Sequence, residues 1–241
     1  MLAGGVVVAA ASLLSGTTGF GYGLVATPLL LLTGFSLPFV VAANLAVSFV
    51  MRGTVAYRFR REVDRRRTAL LIAGSLPGLY LGARVLRIHH TAALEAAIGA
   101  LVMVLAAWLA VRRRVGGEVR PRPALSLGAG LAGGFLGTLS SLSGVAPVLL
   151  LTRERARPVS YIADLAVYFV ATSALGLATL LATGSLQAGD LSPDVFVWLP
   201  VALAGNAAGL ALAPRVREDV FRTVVLAVVF VAGAMTVAGV R

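Results

Sequence analysis

Residues 2–14 are apolar and uncharged, 15–23 break into S-G-T-T-G-F-G-Y-G, and 24–33 are apolar again. At about 1.5 Å per residue the two arms span roughly 20 and 15 Å, each about half of a hydrocarbon core. They predict either one kinked span or a re-entrant hairpin. Residues 36–57 form a full span starting near Pro38, and 58–67 form a polar, strongly basic loop. Two further spans, 68–86 and 92–111, flank a short R-I-H-H turn. Residues 112–123, with Gly116, Gly117, Pro121 and Pro123, read as a linker.

Clustered Gly16, Gly19, Gly21 and Gly23 favour unwound backbone, since each costs roughly 1 kcal/mol relative to alanine inside a helix. Unwound backbone at membrane depth is tolerated only where protein or a water-filled cavity satisfies its polar groups. The stretch is therefore expected to line a cavity. A second copy, G-T-L-S-S-L-S-G-V-A-P, stands at 137–147. Gly16-Thr17 matches Gly137-Thr138, Gly23 matches Gly144, Pro28 matches Pro147 and Pro38 matches Pro158. N-L-A-V-S-F-V from Asn44 matches D-L-A-V-Y-F-V from Asp164, and the Gly78, Gly82 series resembles Gly205, Gly209. A period of this kind marks an internal duplication. Two repeats are expected, 1–120 and 121–241, within one integral membrane domain.

Composition agrees with the membrane reading. The chain is 59% hydrophobic and 13% charged, with mean hydropathy +0.92, where a soluble domain carries about 25% charged residues. No cysteine is present, which excludes disulfides, thiolate metal sites and cysteine nucleophiles. The net charge of +11 comes from arginines in short loops between spans, the pattern of topology signals, so no nucleic-acid partner is expected. The first residues lack a positive n-region and read as part of the fold.

Arginine placement orients the halves. If both broken segments are re-entrant, each half has three true crossings and the second half is inverted. The cytoplasmic loops 58–67, 112–122, 153–157 and 215–222 then hold 17 of the 21 arginines. Full crossings would leave only 12 inside, so the positive-inside rule prefers inversion. The expected fold is all-α and polytopic: two inverted repeats, each a broken or re-entrant helical hairpin plus three transmembrane helices.

Inverted repeats with broken segments are the architecture of secondary transporters. The expected substrate site lies where the interruptions meet, at Thr17, Thr18, Gly19, Gly21 and Gly23 of the first and Thr138, Ser140, Ser141, Ser143 and Gly144 of the second. Exposed amides, half-helix N-termini and small hydroxyls suit a small oxyanion. Close helix packing by small residues is the competing explanation.

The stretch 15–28, its second copy and S-L-P-G-L-Y-L-G-A-R at 75–84 resemble the sulfite exporter TauE/SafE family over nearly the whole chain. The second copy departs from that family's pattern, with Leu139-Ser-Ser-Leu-Ser143 where a glycine-rich motif is expected. The resemblance implies transport of a small sulfur-containing anion, such as sulfite or an organosulfonate, across the cytoplasmic membrane, driven by an ion gradient, with members of the family exporting or importing and export the expected direction.

Ionisable and polar residues inside spans add candidates. Asp164 is expected about 9 Å along its helix, either coupling protons or hydrated near the 153–157 loop. Asn44 is expected to line the cavity, Arg52 to snorkel or contact the anion, and Asn206 to serve as a polar contact or pack beside Gly205. His89 and His90 lack partners at metal-ligand spacing, so no metal is expected, and nothing calls for a cofactor. A membrane enzyme acting on lipid phosphates would need acidic and histidine motifs that are not found, although Glu95 begins a span. That enzyme and a non-transporting assembly partner are the alternatives. A small anion and the lipid bilayer are the expected partners, with a homodimer as the assembly.

Overall fold

The computed structural model describes residues 2–18, 21–88, 97, 100, 104, 122–154, 157–186 and 194–212. Their regular structure is helical: α1 (Leu2–Thr18), α2 (Tyr22–Leu32), α3 (Leu37–Arg58), α4 (Arg65–Ile88), α5 (Pro123–Ser140), α6 (Val145–Arg153), α7 (Pro158–Ala182) and α8 (Asp194–Leu212). Helices α3, α4, α7 and α8 are long and apolar enough to cross a bilayer, while α1 and α2 are shorter apolar helices. The chain is a multi-pass helical membrane protein. Apart from Ala97, Ala100 and Val104, the expected span 92–111 lies outside the described residues, as do the linker from 112 to 121, Gly19, His89, His90, Glu95 and the segment after 212.

The order of a helix, a break, a short helix and two long helices occurs twice, in α1–α4 and in α5–α8. Both breaks are narrower than the glycine pattern predicts. Helix α1 continues through Gly16 and Thr17 to Thr18, α2 already includes Gly23, and α5 runs through Gly137 to Ser140. Tertiary packing supplies what propensity withholds: the Asn206 carbonyl comes close to Gly16, and Ser143 packs on Gly137.

The described helices form two compact units, each drawing on both sequence halves. One holds α1, α2, α8 and the start of α3; the other holds the rest of α3 with α4, α5, α6 and α7. In the first, α1 packs along α8. A methyl group on Gly205 would come 2.8 Å from the Ala9 carbonyl oxygen, and one on Gly209 or Gly16 would collide with the carbonyl of Leu13 or Asn206. Trp198 is buried, edge-on to Phe35 at 5.4 Å and Phe39 at 5.8 Å between ring centres. It is a core residue of this unit.

The second unit is built on the pair α4 and α5. Gly74 and Gly78 face the carbonyls of Leu127 and Leu131, and Gly82 faces Phe135. Reciprocally, Gly130 and Gly134 face the carbonyls of Leu71 and Ser75. Small residues at intervals of four put one backbone directly against the other, the usual way for helices to associate in lipid. Thr138 closes this seam by donating its hydroxyl to the Leu79 carbonyl at 3.0 Å. The seams α1–α8 and α4–α5 involve corresponding members of the two halves, and each is lined by the matched glycines of the sequence repeat.

Candidate functional site

The expected site residues fall into both units. In the first, Thr17 donates its hydroxyl to the Leu14 carbonyl at 2.8 Å, so that hydrogen is committed within the helix. Thr18 closes α1. Gly21 takes a left-handed conformation with φ of 89° at the N-cap of α2, where a side chain would be strained although nothing crowds it. Gly23 is buried inside α2. Asn206 is buried in α8, with its backbone carbonyl against Gly16 and its Oδ1 without a hydrogen-bond partner among the described residues.

The interruption in the second unit has a defined geometry. Helix α5 ends as the Ser141 N–H bonds the Gly137 carbonyl at 2.9 Å and the Leu142 N–H reaches the Leu136 carbonyl at 3.1 Å. Ser141 itself sits at φ 60° and ψ 18°. A left-handed serine costs of order 1–3 kcal/mol, and such strain clusters at ligand sites. Its Oγ is buried and has no hydrogen-bond partner among the described residues. Gly137 allows Ser143 to fold back onto α5, since a Cβ there would lie 2.9 Å from that of Ser143. Ser140, by contrast, spends its hydroxyl on the Leu136 carbonyl at 2.9 Å. Thr138 is committed to the α4 seam.

Two aromatic side chains of α7 close over this turn. Phe169 packs on Gly144, where an added Cβ would be 2.6 Å from its ring. The Tyr168 hydroxyl meets Gly133 beside the Ser143 carbonyl and Pro147; it is buried and lacks a hydrogen-bond partner among the described residues. The Arg52 guanidinium of α3 lies 5.5 Å from the centre of the Phe169 ring, and the residue is only 7% exposed. Arg52 therefore does not snorkel to water. It is a buried cation, stacked on the ring that covers the interruption. Asn44, two turns earlier on α3, is buried as well.

Asp164 belongs to a different constellation. Arg67, in the first turn of α4, holds it through Nε at 2.8 Å from Oδ2 and through Nη2, and the Asp64 N–H donates to Oδ1 at 2.8 Å. Arg67 also reaches Glu154 at 3.4 Å and Ser160 at 3.3 Å. Asp164 is paired rather than hydrated. Arg67 and Glu154 are the residues that the sequence pattern did not single out, because the arginines of 58–67 read collectively as topology signals. A buried carboxylate near the start of a span, opposite a basic first turn, is the signal that could have paired them.

Among the described residues, helices with four candidate spans and two interrupted segments define a multi-pass helical membrane protein. Among known protein families, the sulfite exporter TauE/SafE family matches residues 4–236, and the chain belongs to it. No curated protein and no solved structure matches the chain.

Proposed function

We propose that this protein is a secondary transporter that exports a small sulfur-containing anion, such as sulfite or an organosulfonate, across the cytoplasmic membrane. Membership of the sulfite exporter TauE/SafE family supports transport of this class of anion. The observation that carries the site is Arg52: a guanidinium buried in a membrane span and stacked on Phe169, which covers the interruption at Gly144. Ionisable groups inside spans are costly and mark substrate pathways. Here the cation stacks on the ring that packs against Gly144, in the turn that carries Ser141 and Ser143, with Tyr168 beside that ring on α7. Hydroxyl donors and one guanidinium match the tetrahedral oxygens of a sulfonate or the pyramidal oxygens of sulfite. The hydroxyls of Ser141 and Tyr168 have donors to offer; those of Thr138 and Ser140 are committed to main-chain carbonyls.

Asn44, buried in the same unit as Arg52, is the further polar side chain proposed for the substrate path. The protein is proposed to work as a homodimer.

Purified protein reconstituted into vesicles should move labelled sulfite or sulfoacetate, and unlabelled sulfite should compete. Acetate should compete poorly, since it has two charged oxygens rather than three. Vesicles whose anion flux equals that of protein-free controls would overturn this function.

A further inference from the structure

Arg67 stands between two buried carboxylates and satisfies them unequally. Asp164 receives two of its N–H groups and the Asp64 main-chain N–H. Glu154 receives one contact, from Nη1 to Oε2 at 3.4 Å, near the outer limit of a hydrogen bond. The Glu154 side chain is fully buried, yet its Oε1 has no partner among the described residues. One guanidinium neutralises one carboxylate. A second ionised carboxylate held beside it carries an uncompensated desolvation cost.

Among the described residues, the other groups around Glu154 do not remove that cost. Ser160 of α7 contacts Arg67 Nη2, and Asp64 accepts the Arg67 main-chain N–H at 3.1 Å. The charges of Asp64 and Asp164 both oppose ionisation of Glu154. Arg157, at the start of α7, is exposed. Burial pushes the Glu154 carboxyl above the ordinary glutamate range, against the opposing pull of Arg67.

We propose that Glu154, beside the Arg67–Asp164 pair, is a proton-binding site, and that its proton is the coupling ion of transport. The coupling half rests on the transporter reading above; the proton site does not. Glu154 directly follows α6, and its N–H still bonds the Leu150 carbonyl at 2.9 Å. Helix α6 is the arm that leaves the interruption at Gly144. When neutral, Glu154 stays buried and leaves Arg67 to Asp164. When ionised, it either competes for Arg67 or moves towards water, and both displace the end of α6. Proton release at one end of this short helix is thereby felt at the turn on its other end.

The test has two arms. In the first, the melting temperature of purified protein without substrate is followed from acidic to neutral pH. A carboxyl raised in the folded state binds more protons there than in the unfolded chain, so its contribution is complete below the ordinary glutamate range and is lost as pH rises through the raised value. The wild type should melt lower as pH rises through that window; Glu154→Gln should flatten this fall, and Glu154→Asp should retain it. A wild-type pH profile in Glu154→Gln overturns the site. In the second arm, vesicles are loaded with sulfoacetate, whose sulfonate does not titrate near neutral pH. Glu154→Gln should keep sulfoacetate exchange without a pH gradient and lose the acceleration that a gradient gives the wild type. Equal acceleration in both proteins overturns the coupling role. A pH profile that depends on Glu154, together with no sulfoacetate flux in the wild type, would sustain the proton site and sink the transporter reading instead.

Discussion

Arg67 and Asp164, 97 positions apart in sequence, share a two-pronged ion pair that ties the first turn of α4 to the buried side of α7. Removing one partner leaves the other charge buried, which costs about 3–5 kcal/mol, whereas replacing both with apolar residues is often neutral. Arg67→Met should therefore lower the melting temperature strongly. The double variant Arg67→Met with Asp164→Leu should recover most of the loss in a thermal melt. A double variant as weak as Arg67→Met alone would show that the pair is not what holds these elements.

Arg52 is expected to determine anion affinity. Arg52→Gln removes a charged donor worth about 1.5–3 kcal/mol, or about 10- to 150-fold in the dissociation constant. Phe169→Leu keeps the guanidinium and removes only the ring, so a smaller loss, of about 2- to 5-fold, is expected. Val104→Ala, on an exposed apolar position, is the control. Sulfite titration by calorimetry would measure all three.

Ser141 separates strain from binding. Ser141→Gly relieves a left-handed serine, which should stabilise by about 1 kcal/mol and raise the melting temperature by about 2–4 °C. The same change removes a hydroxyl, so sulfite affinity should fall. Thr17→Val should leave affinity nearly unchanged, because that hydroxyl already donates to Leu14. A variant of Ser141 that is stabilised and binds as well as the wild type would remove this residue from the site.

The glycine seam makes a prediction that is independent of ligand. Gly130→Ala drives a methyl into the Leu71 carbonyl, and the helices must part. Gly128→Ala, two residues earlier, meets nothing within 4 Å and is exposed. The first should destabilise by about 1–3 kcal/mol through overpacking, while the second should be neutral or stabilise by up to about 1 kcal/mol through helix propensity. Similar melting temperatures for the two would mean that α4 and α5 are not in main-chain contact.

Orientation of the repeats can be read chemically, because the chain has no cysteine of its own. Ser36→Cys and Arg157→Cys, both exposed, should label from opposite sides of the membrane if the halves are inverted. Labelling from one side would favour parallel halves.

How much of this was legible in the sequence depends on range. Hydropathy located α3, α4, α7 and α8, since each is a long apolar run with a basic loop at one end. The duplicated S/T/G motif located both interruptions, because clustered glycines and hydroxyls have few uses in lipid. It placed them too broadly: whether Gly16 or Gly137 stays helical is decided by the backbone of Asn206 or the fold of Ser143, neither of which is local. Hydroxyl chemistry was likewise only half visible. Thr138 and Ser141 look equivalent in a motif, yet one is spent on Leu79 and the other is unpartnered among the described residues. Arg52 was recognisable as a charge in a span, but its stacking on Phe169 joins helices far apart in the chain. The pairing of Asp164 with Arg67 was hidden for the same reason.

The seam between α4 and α5 has a further consequence, for assembly. Glycine has no rotamers to lose, so bringing Gly74, Gly78, Gly130 and Gly134 together freezes no side-chain freedom at those positions. In lipid, where apolar burial gives little incentive to associate, that absence of entropic cost favours pairing. Because the contact at these glycines is backbone on backbone, it offers little side-chain freedom to repack and absorb a displacement. Any shift of α4 relative to α5 must proceed as a whole-helix slide, with a turn of about 5.4 Å as its natural step. The α4–α5 pair is thus a stiff spar to which Arg67 is fixed at one end, while the short helix α6, held by few contacts, is the member of this unit best suited to move.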